Sequence, residues 1–156
     1  MVDLYDRDRK PLKDASAGCP LYSEAMIFTG SRRWVMLGND GIVSPVRTRV
    51  GHDENSYSAI RRQILINTGI SVGMGAVIFT GYYREPESCR KNIMDIWVFR
   101  IAEKDEDISL DNPRICIMTS DEVRGSIENR RYSDMGETAE LNGIFAIFET
   151  PVCVDF

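Results

Sequence analysis

The sequence lacks several features that would assign a functional class directly. It has no run of about 18 apolar residues, so we expect no membrane-spanning helix. The first residues, Met1 to Lys13, are charged and contain no apolar core, so no secretory signal peptide is expected. The only histidine, His52, excludes a His-rich metal site and is more typical of a solvated loop residue than of a catalytic one.

Cysteine is sparse and scattered. The four cysteines show no Cys-x-x-Cys spacing, so the sequence gives little support to a zinc site. They are Cys19, Cys89, Cys116 and Cys153. Because thiols without a secretion signal normally stay reduced, this pattern predicts a cytoplasmic protein.

The charge balance is acidic. A net charge of −5 argues against a nonspecific nucleic-acid binder, which is normally basic, but it leaves room for a local basic pocket that holds a small nucleotide. The length of 156 residues predicts one domain, 1–156, that buries roughly 68–70% of its unfolded surface. A homo-oligomer is compatible with the sequence.

The run from Glu54 to Ile70 predicts one helix with a defined start and end. Gly69 follows the last periodic residue, where a left-handed backbone conformation is easiest for glycine. Ile60 and Ile64 lie four residues apart and form an apolar stripe. Three residues near the start are suitable N-caps: Asp53, Asn55 and Ser56.

This run resembles the Nudix box, the signature of the Nudix family of nucleoside-diphosphate-X hydrolases. The family pattern is Gly, five residues, Glu, seven residues, Arg-Glu-aliphatic, one residue, Glu-Glu, one residue, Gly-aliphatic. In ungapped register over residues 48–70, Glu54 meets the first Glu and Arg62 meets the Arg. Ile64 meets the first aliphatic position, and Gly69 begins the closing pair.

The departures from the pattern are as informative as the matches. Thr48 stands at the opening Gly, although Gly51 could take that role with a shortened loop. Gln63, Ile66 and Asn67 replace three carboxylates that in the family hold divalent metal on the pyrophosphate of the substrate. Because Mg²⁺ prefers anionic oxygen ligands, this degenerate box predicts the fold without a metal site.

Short β-rich runs predict strands on both sides of this helix, and the periodicity of the last segment predicts a C-terminal helix. The strands are Ala25 to Thr29, Arg33 to Leu37, Val46 to Val50, Ala76 to Tyr82, Ile93 to Ile101 and Ile115 to Met118. A capping box at Thr119 and Glu122 predicts a short helix, followed by a polar loop from Arg124 to Gly136. The C-terminal helix contains Leu141, Ile144, Phe145 and Phe148. This order resembles the Nudix family and implies an α+β fold, an α/β/α sandwich whose mixed sheet lies between the box helix and the C-terminal helix.

The candidate ligand-binding residues are mainly arginines. Arg47 and Arg49 alternate with apolar residues just before the box helix, where guanidinium groups and a helix N-terminus suit a phosphate. A solvated strand face explains the same alternation. Trp97 suits stacking on a nucleobase, although such a tryptophan is more often part of the core. The full set is Arg47, Arg49, Arg62, Gln63, Arg84 and Trp97.

The sequence is compatible with three functions. The first is a Nudix-like domain that binds a nucleotide or nucleoside-diphosphate derivative without metal-dependent hydrolysis, and it needs no cofactor. The second is an active pyrophosphohydrolase that uses Mg²⁺ or Mn²⁺ on non-standard carboxylates, with Glu54 as the best remaining catalytic candidate beside Asp53 and the acidic cluster Glu103 to Asp107. The third is a protein-interaction module, favoured by apolar Ile66 at a family carboxylate position.

Overall fold

The computed structural model describes residues 21–73, 76–84, 91–102, 108 and 112–132, with only the backbone described at 76–84 and 91–93. Seven strands and two helices follow one another in these residues. They are β1 (Leu21–Phe28), β2 (Trp34–Asn39), β3 (Ile42–Ser44), β4 (Val46–Arg49), α1 (Ser56–Thr68), β5 (Ala76–Arg84), β6 (Lys91–Arg100), β7 (Ile115–Met118) and α2 (Ser120–Glu128). Neither of these helices is long and apolar enough to cross a membrane.

The strands form one mixed sheet arranged about β1. Strand β1 runs parallel to β6 along its full length, from Leu21 opposite Ile93 to Phe28 opposite Arg100. On its other side, β1 pairs first with β4 and then with β2, both in antiparallel orientation. Strand β2 extends the sheet to β3 and β7, and β6 extends it to β5. The early half of β1 therefore lies between β4 and β6, the region that α1 covers.

The two faces of the sheet carry separate apolar cores. The core that joins α1 to the sheet includes Ala25, Ile27, Val35, Leu37, Val46, Ile60, Ile64 and Phe99. The core on the α2 side includes Met26, Phe28, Trp34, Met36, Met94, Ile96, Val98 and Val123. Successive residues of β1 alternate between these cores, so the strand is buried on both faces. The layers are helix, sheet and helix, and the predicted α+β fold is confirmed.

Helix α1 lies within the predicted run from Glu54 to Ile70, and residues predicted as caps mark both of its ends. Asn55 is the N-cap, and its Oδ1 accepts a hydrogen bond from the backbone N–H of Ser58 at 2.8 Å. Gly69 lies in the left-handed region with φ 74°, which glycine adopts without a Cβ clash. Ile60 and Ile64 are fully buried against the sheet. The predicted apolar stripe therefore sets the rotation of the helix about its axis.

Helix α2 begins at the predicted capping box, where Thr119 Oγ1 accepts from the backbone N–H of Glu122 at 3.1 Å. The predicted loop from Arg124 onward is wrong over 124–128, because the helix continues through Gly125. Fully buried Val123 anchors the helix on the sheet. This burial and the cap offset the cost of about 1 kcal/mol that an interior glycine carries.

Two predicted features lie outside the described residues. They are the acidic cluster Glu103 to Asp107 and the C-terminal helix around residues 141–148. In the described part of the chain, α2 covers the sheet face opposite α1, with Val123 and Ile127 against the sheet. Within the described residues, α2 therefore forms the layer on this face of the sheet.

The neighbouring residues Ile64 and Leu65 provide a matched test of the orientation of α1. Ile64 is fully buried, whereas Leu65 is 52% exposed. We expect Ile64→Ala to lower the free energy of unfolding by about 2–5 kcal/mol, because it removes buried methyl groups and leaves a cavity. Leu65→Ala should change it by less than about 1 kcal/mol. Urea unfolding followed by tryptophan fluorescence measures both, and equal losses would contradict this orientation.

Candidate functional site

The helix positions that the sequence resemblance aligns with the metal-holding residues of the Nudix box carry two amides and one apolar side chain. The Nε2 of Gln63 donates a hydrogen bond to the Oδ1 of Asn67 at 2.7 Å, one helical turn away. Both side chains are half-buried, and Ile66 between them in sequence is 67% exposed. One hydrogen bond thus joins the two amides, and neither side chain carries a negative charge.

Glu54, which the sequence resemblance aligns with the first glutamate of the Nudix box, contacts the helix and the loop before it. Its Oε1 accepts a hydrogen bond from the backbone N–H of Gly51 at 3.0 Å. The same oxygen lies 3.1 Å from Nη2 of Arg62, two turns along α1. Glu54 thereby joins the loop to the helix and partly neutralises Arg62.

These residues do not fit the divalent metal that the Nudix resemblance implies. Magnesium takes anionic oxygens in near-octahedral geometry, and Gln63 and Asn67 supply only neutral ones. Across the residues that the structure describes, no group of three or more His, Cys, Asp or Glu side chains could hold a metal ion. The acidic cluster Glu103 to Asp107, which the hydrolase alternative needs, is outside those residues.

A buried polar cluster fixes the start of α1 on the sheet. Ser23 of β1 donates from Oγ to the backbone carbonyl of Ser56 at 3.0 Å, and the two hydroxyl oxygens are also 3.0 Å apart. The Nε1 of Trp97 in β6 donates to Ser56 Oγ at 2.9 Å. Asp95, directly opposite Ser23 in the β1–β6 pairing, is fully buried as well. One serine thus links the helix to two strands.

Trp97 lies beneath α1, where its ring is half-buried. Its indole N–H donates to Ser56, and its ring centroid lies 5.1 Å from that of Tyr57. The side chain also packs against the α1 core. These contacts are those of a packing residue, and stacking of Trp97 on a nucleobase stays a prediction.

Arg47 and Arg49 point away from α1. Val46 belongs to the α1 core, so alternation along β4 places both arginines on the opposite face of the sheet. Arg47 Nε donates to Oε2 of Glu24 at 3.2 Å, and this glutamate is fully buried. The structure therefore does not bring these two arginines together with Arg62, although each remains a ligand-binding prediction.

A shallow cleft of about 210 Å³ lies between α1 and the segment that follows it. Arg61 Nε donates to the carbonyl of Val72 at 3.0 Å, and its guanidinium carbon lies 5.3 Å from the centroid of the Tyr57 ring. Tyr57 also donates from its hydroxyl to the carbonyl of Gly73. The residues lining the cleft are Arg61, Arg62, Leu65, Ser71 and Val72.

The predicted site residues thus divide into separate groups. Glu54, Arg62 and Gln63 lie on or beside α1, and the side chain of Arg84 is outside the described part of the structure. The sequence reading missed Arg61 and Ser23. The spacing of Tyr57 and Arg61, four residues apart on one helix, could have identified Arg61 as an anchored arginine. No local pattern marks Ser23, because its partner is 33 residues away.

Replacing Arg47 tests whether its main role is structural. We expect Arg47→Met to lower the free energy of unfolding by about 3 kcal/mol, because it leaves the buried Glu24 carboxylate without this partner. The exposed neighbour Arg49→Met is the matched control and should change stability by less than about 0.5 kcal/mol. The pair Glu24→Leu with Arg47→Met should recover most of the loss, as measured by urea unfolding. A single variant as stable as the wild type would contradict the structural role.

Comparison with known proteins bears on the fold. No protein-family model matches the sequence, and no curated protein matches it at a significant level. The structure superposes on a NUDIX hydrolase from Nitrosomonas europaea with a TM-score of 0.59 and 13% identity, covering 84% of this chain and 88% of the other. For DR0079 from Deinococcus radiodurans, the TM-score is 0.58 at 14% identity, with 89% and 94% covered.

A third similar structure is the dihydroneopterin triphosphate pyrophosphohydrolase of E. coli. Its TM-score is 0.58 at 9% identity, with 82% of this chain and 93% of the other covered. At identities this low, the likeness concerns the path of the backbone and not the side chains of the site. The chain has a Nudix-like fold.

Proposed function

We propose that this Nudix-like domain binds a nucleotide or a related nucleoside-diphosphate derivative and does not carry out metal-dependent hydrolysis. The observation that carries the proposal is the hydrogen bond between Gln63 and Asn67, at positions that the sequence resemblance aligns with carboxylates of the Nudix box. A framework of this kind without the anionic ligands favours binding over turnover.

The charge of α1 supports an anionic ligand. The helix contains no acidic residue, whereas it carries Arg61 and Arg62. The side chain of Arg62 is 48% exposed, so its guanidinium can pair with phosphate oxygens while Glu54 holds it in position. Gln63 adds a neutral hydrogen-bonding group next to it. These two residues are the ligand contacts that we assign first.

The hydrolase alternative requires carboxylates that converge on a metal pair. Glu54 is held by Gly51 and Arg62. Asp53 is exposed in the same loop and belongs to no cluster of metal-ligating side chains in the described ranges. Direct assay of turnover therefore separates this alternative from the proposal.

Thermal unfolding in the presence of candidate ligands tests binding. The panel contains ADP-ribose, NAD, nucleoside mono-, di- and triphosphates and dinucleoside polyphosphates, each with EDTA. At 100 times its dissociation constant, a ligand adds about 2.7 kcal/mol of stability, which raises Tm by roughly 5–10 °C in a chain of this size. We expect at least one ligand to do so without a divalent ion, and no hydrolysis of any ligand with Mg²⁺ or Mn²⁺ when the reaction mixtures are separated by ion-exchange chromatography.

The control variant for this experiment changes an exposed arginine outside α1. Arg62→Ala should reduce the ligand-induced rise in Tm, whereas Arg131→Ala, beside β3, should leave it unchanged. If no ligand stabilises the wild type, binding is refuted. Turnover of any ligand with added metal would establish the hydrolase alternative instead.

Restoring the three carboxylates tests the proposed reason for the missing metal site. We expect Gln63→Glu, Ile66→Glu and Asn67→Glu together to create Mn²⁺ binding with a dissociation constant on the order of 10⁻³ M or lower, because positions 63, 66 and 67 are three and four residues apart and adjoin one another on α1. Isothermal titration calorimetry measures the affinity.

The matched control keeps the side chains long but uncharged. A variant with Gln at positions 63, 66 and 67 should bind Mn²⁺ no better than the wild type. If the three glutamates bring no gain in affinity, then this flank is not equivalent to the metal-binding face of a Nudix box.

A further inference from the structure

The side of α1 that faces solvent carries two large apolar residues next to each other. Leu65 is 52% exposed and Ile66 is 67% exposed. Single exposed apolar residues are common in soluble proteins and need no explanation. Here the two adjoin Arg61 and Arg62 and a cleft, and we call these four residues the outer α1 face.

This face is not required to hold α1 on the sheet. The buried contacts of the helix are made by Ser56, Ala59, Ile60, Ile64 and Thr68. Leu65 and Ile66 lie outside that set, and polar residues at these positions would serve solubility better. Their exposure therefore points to contact with something outside the described chain.

The cleft gives the face a concave feature. Leu65 and Val72 provide apolar wall and Ser71 provides a hydroxyl group. Its volume of about 210 Å³ is below the range of roughly 300–1,000 Å³ typical of whole-ligand pockets. A space of this size suits one side chain of a larger partner. A concave pocket also favours a protruding side chain over a flat membrane surface.

The charge of the outer α1 face defines the chemistry of the partner. Arg61 is anchored through Nε to the carbonyl of Val72, and no carboxylate pairs with it within the described residues. Its guanidinium is therefore held in place with Nη groups that can bind an acidic side chain. Arg62 adds a second cation, partly neutralised by Glu54.

The exposed area of the outer α1 face limits the size of the partner that can bind to it. A helix of 13 residues is about 20 Å long, and its exposed side offers only a few hundred Å². A stable dimer interface buries about 800 Å² on each partner, so α1 alone is too small for a second copy of this chain. A short linear segment matches the available length.

We propose that the outer α1 face is a docking site for a short acidic segment of another protein. An apolar side chain of the segment enters the cleft between Leu65 and Val72, and acidic side chains on either side pair with Arg61 and Arg62. Ile66 extends the apolar contact along the helix. The two arginines orient the segment, and the apolar contacts supply most of its affinity.

Selection of randomised displayed peptides on the immobilised full chain tests the proposal. We expect enriched peptides to carry acidic residues beside Leu, Ile, Phe or Trp. A fluorescein-labelled copy of the most enriched peptide should bind the wild-type chain in a polarisation assay. Its affinity should fall as salt rises, and at least about tenfold in Leu65→Glu.

Ile42→Glu is the matched control, because Ile42 is a similarly exposed apolar residue, at 47%, on β3. It should leave peptide affinity unchanged, and circular dichroism should show that both variants fold. The uncharged variant Leu65→Ser should also weaken peptide binding, and it should keep the ligand-induced rise in Tm of the wild type because it places no negative charge beside Arg62. Loss of peptide binding is thereby distinguished from loss of nucleotide binding.

Three results would overturn the proposal. They are no enrichment of peptides, enrichment of peptides without acidic residues, and equal peptide affinity for the wild type and Leu65→Glu. Vesicles of phosphatidylserine and phosphatidylcholine form a second arm. Co-sedimentation of the wild type but not of Leu65→Glu with these vesicles, without peptide enrichment, would assign the face to anionic membrane.

Discussion

The hydroxyl group of Ser56 is the point on which the geometry of the site depends. It accepts from the indole of Trp97 and is hydrogen-bonded to Ser23, so the first turn of α1 is tied to β6 and β1 at once. Buried Ile60 and Ile64 then fix the rotation of the helix about its axis. Together these contacts decide which residues of α1 are turned to the core, to the flank and to solvent.

Given that orientation, the chemistry of α1 follows from residue identity. The flank carries Gln63 and Asn67, whose uncharged amides are hydrogen-bonded to one another. The solvent side carries two arginines and two apolar residues, which suit anionic and apolar contacts. The helix thus presents amides, arginines and apolar side chains, and no carboxylate. The buried residues of α1 thus determine its packing, and its exposed residues determine its surface chemistry.

Local patterns were sufficient for α1. Its caps, its apolar stripe and Gly69 all act within one or two turns, so the sequence contains the information needed for its bounds and its inward face. Helix α2 shows the limit of the same reasoning. Gly125 indicates a helix end by propensity, yet the burial of Val123 on the sheet outweighs that local cost.

The site was less predictable because it depends on contacts between distant residues. Alternation along β4 gives two faces but does not say which of them α1 will cover, and the buried partner of Arg47, Glu24, lies 23 residues away in the sequence. The surroundings of Trp97 depend in the same way on α1, which is distant in sequence. In both cases a contact between distant elements decides the environment, β1 with β4 for Arg47 and α1 with β6 for Trp97, and no local periodicity encodes it.

The ion pair between Glu24 and Arg47 has a consequence for strand alignment. These residues lie directly opposite one another in β1 and β4, one step from the Ala25–Val46 pair that faces α1. If β4 slid by one residue, Arg47 would turn toward the apolar layer beneath α1, and Glu24 would lose its counter-charge. Both penalties disfavour this one-residue shift of β4 against β1. A pair of opposite charges inside the sheet therefore specifies a single alignment of β1 with β4, and with it the point at which the chain enters α1.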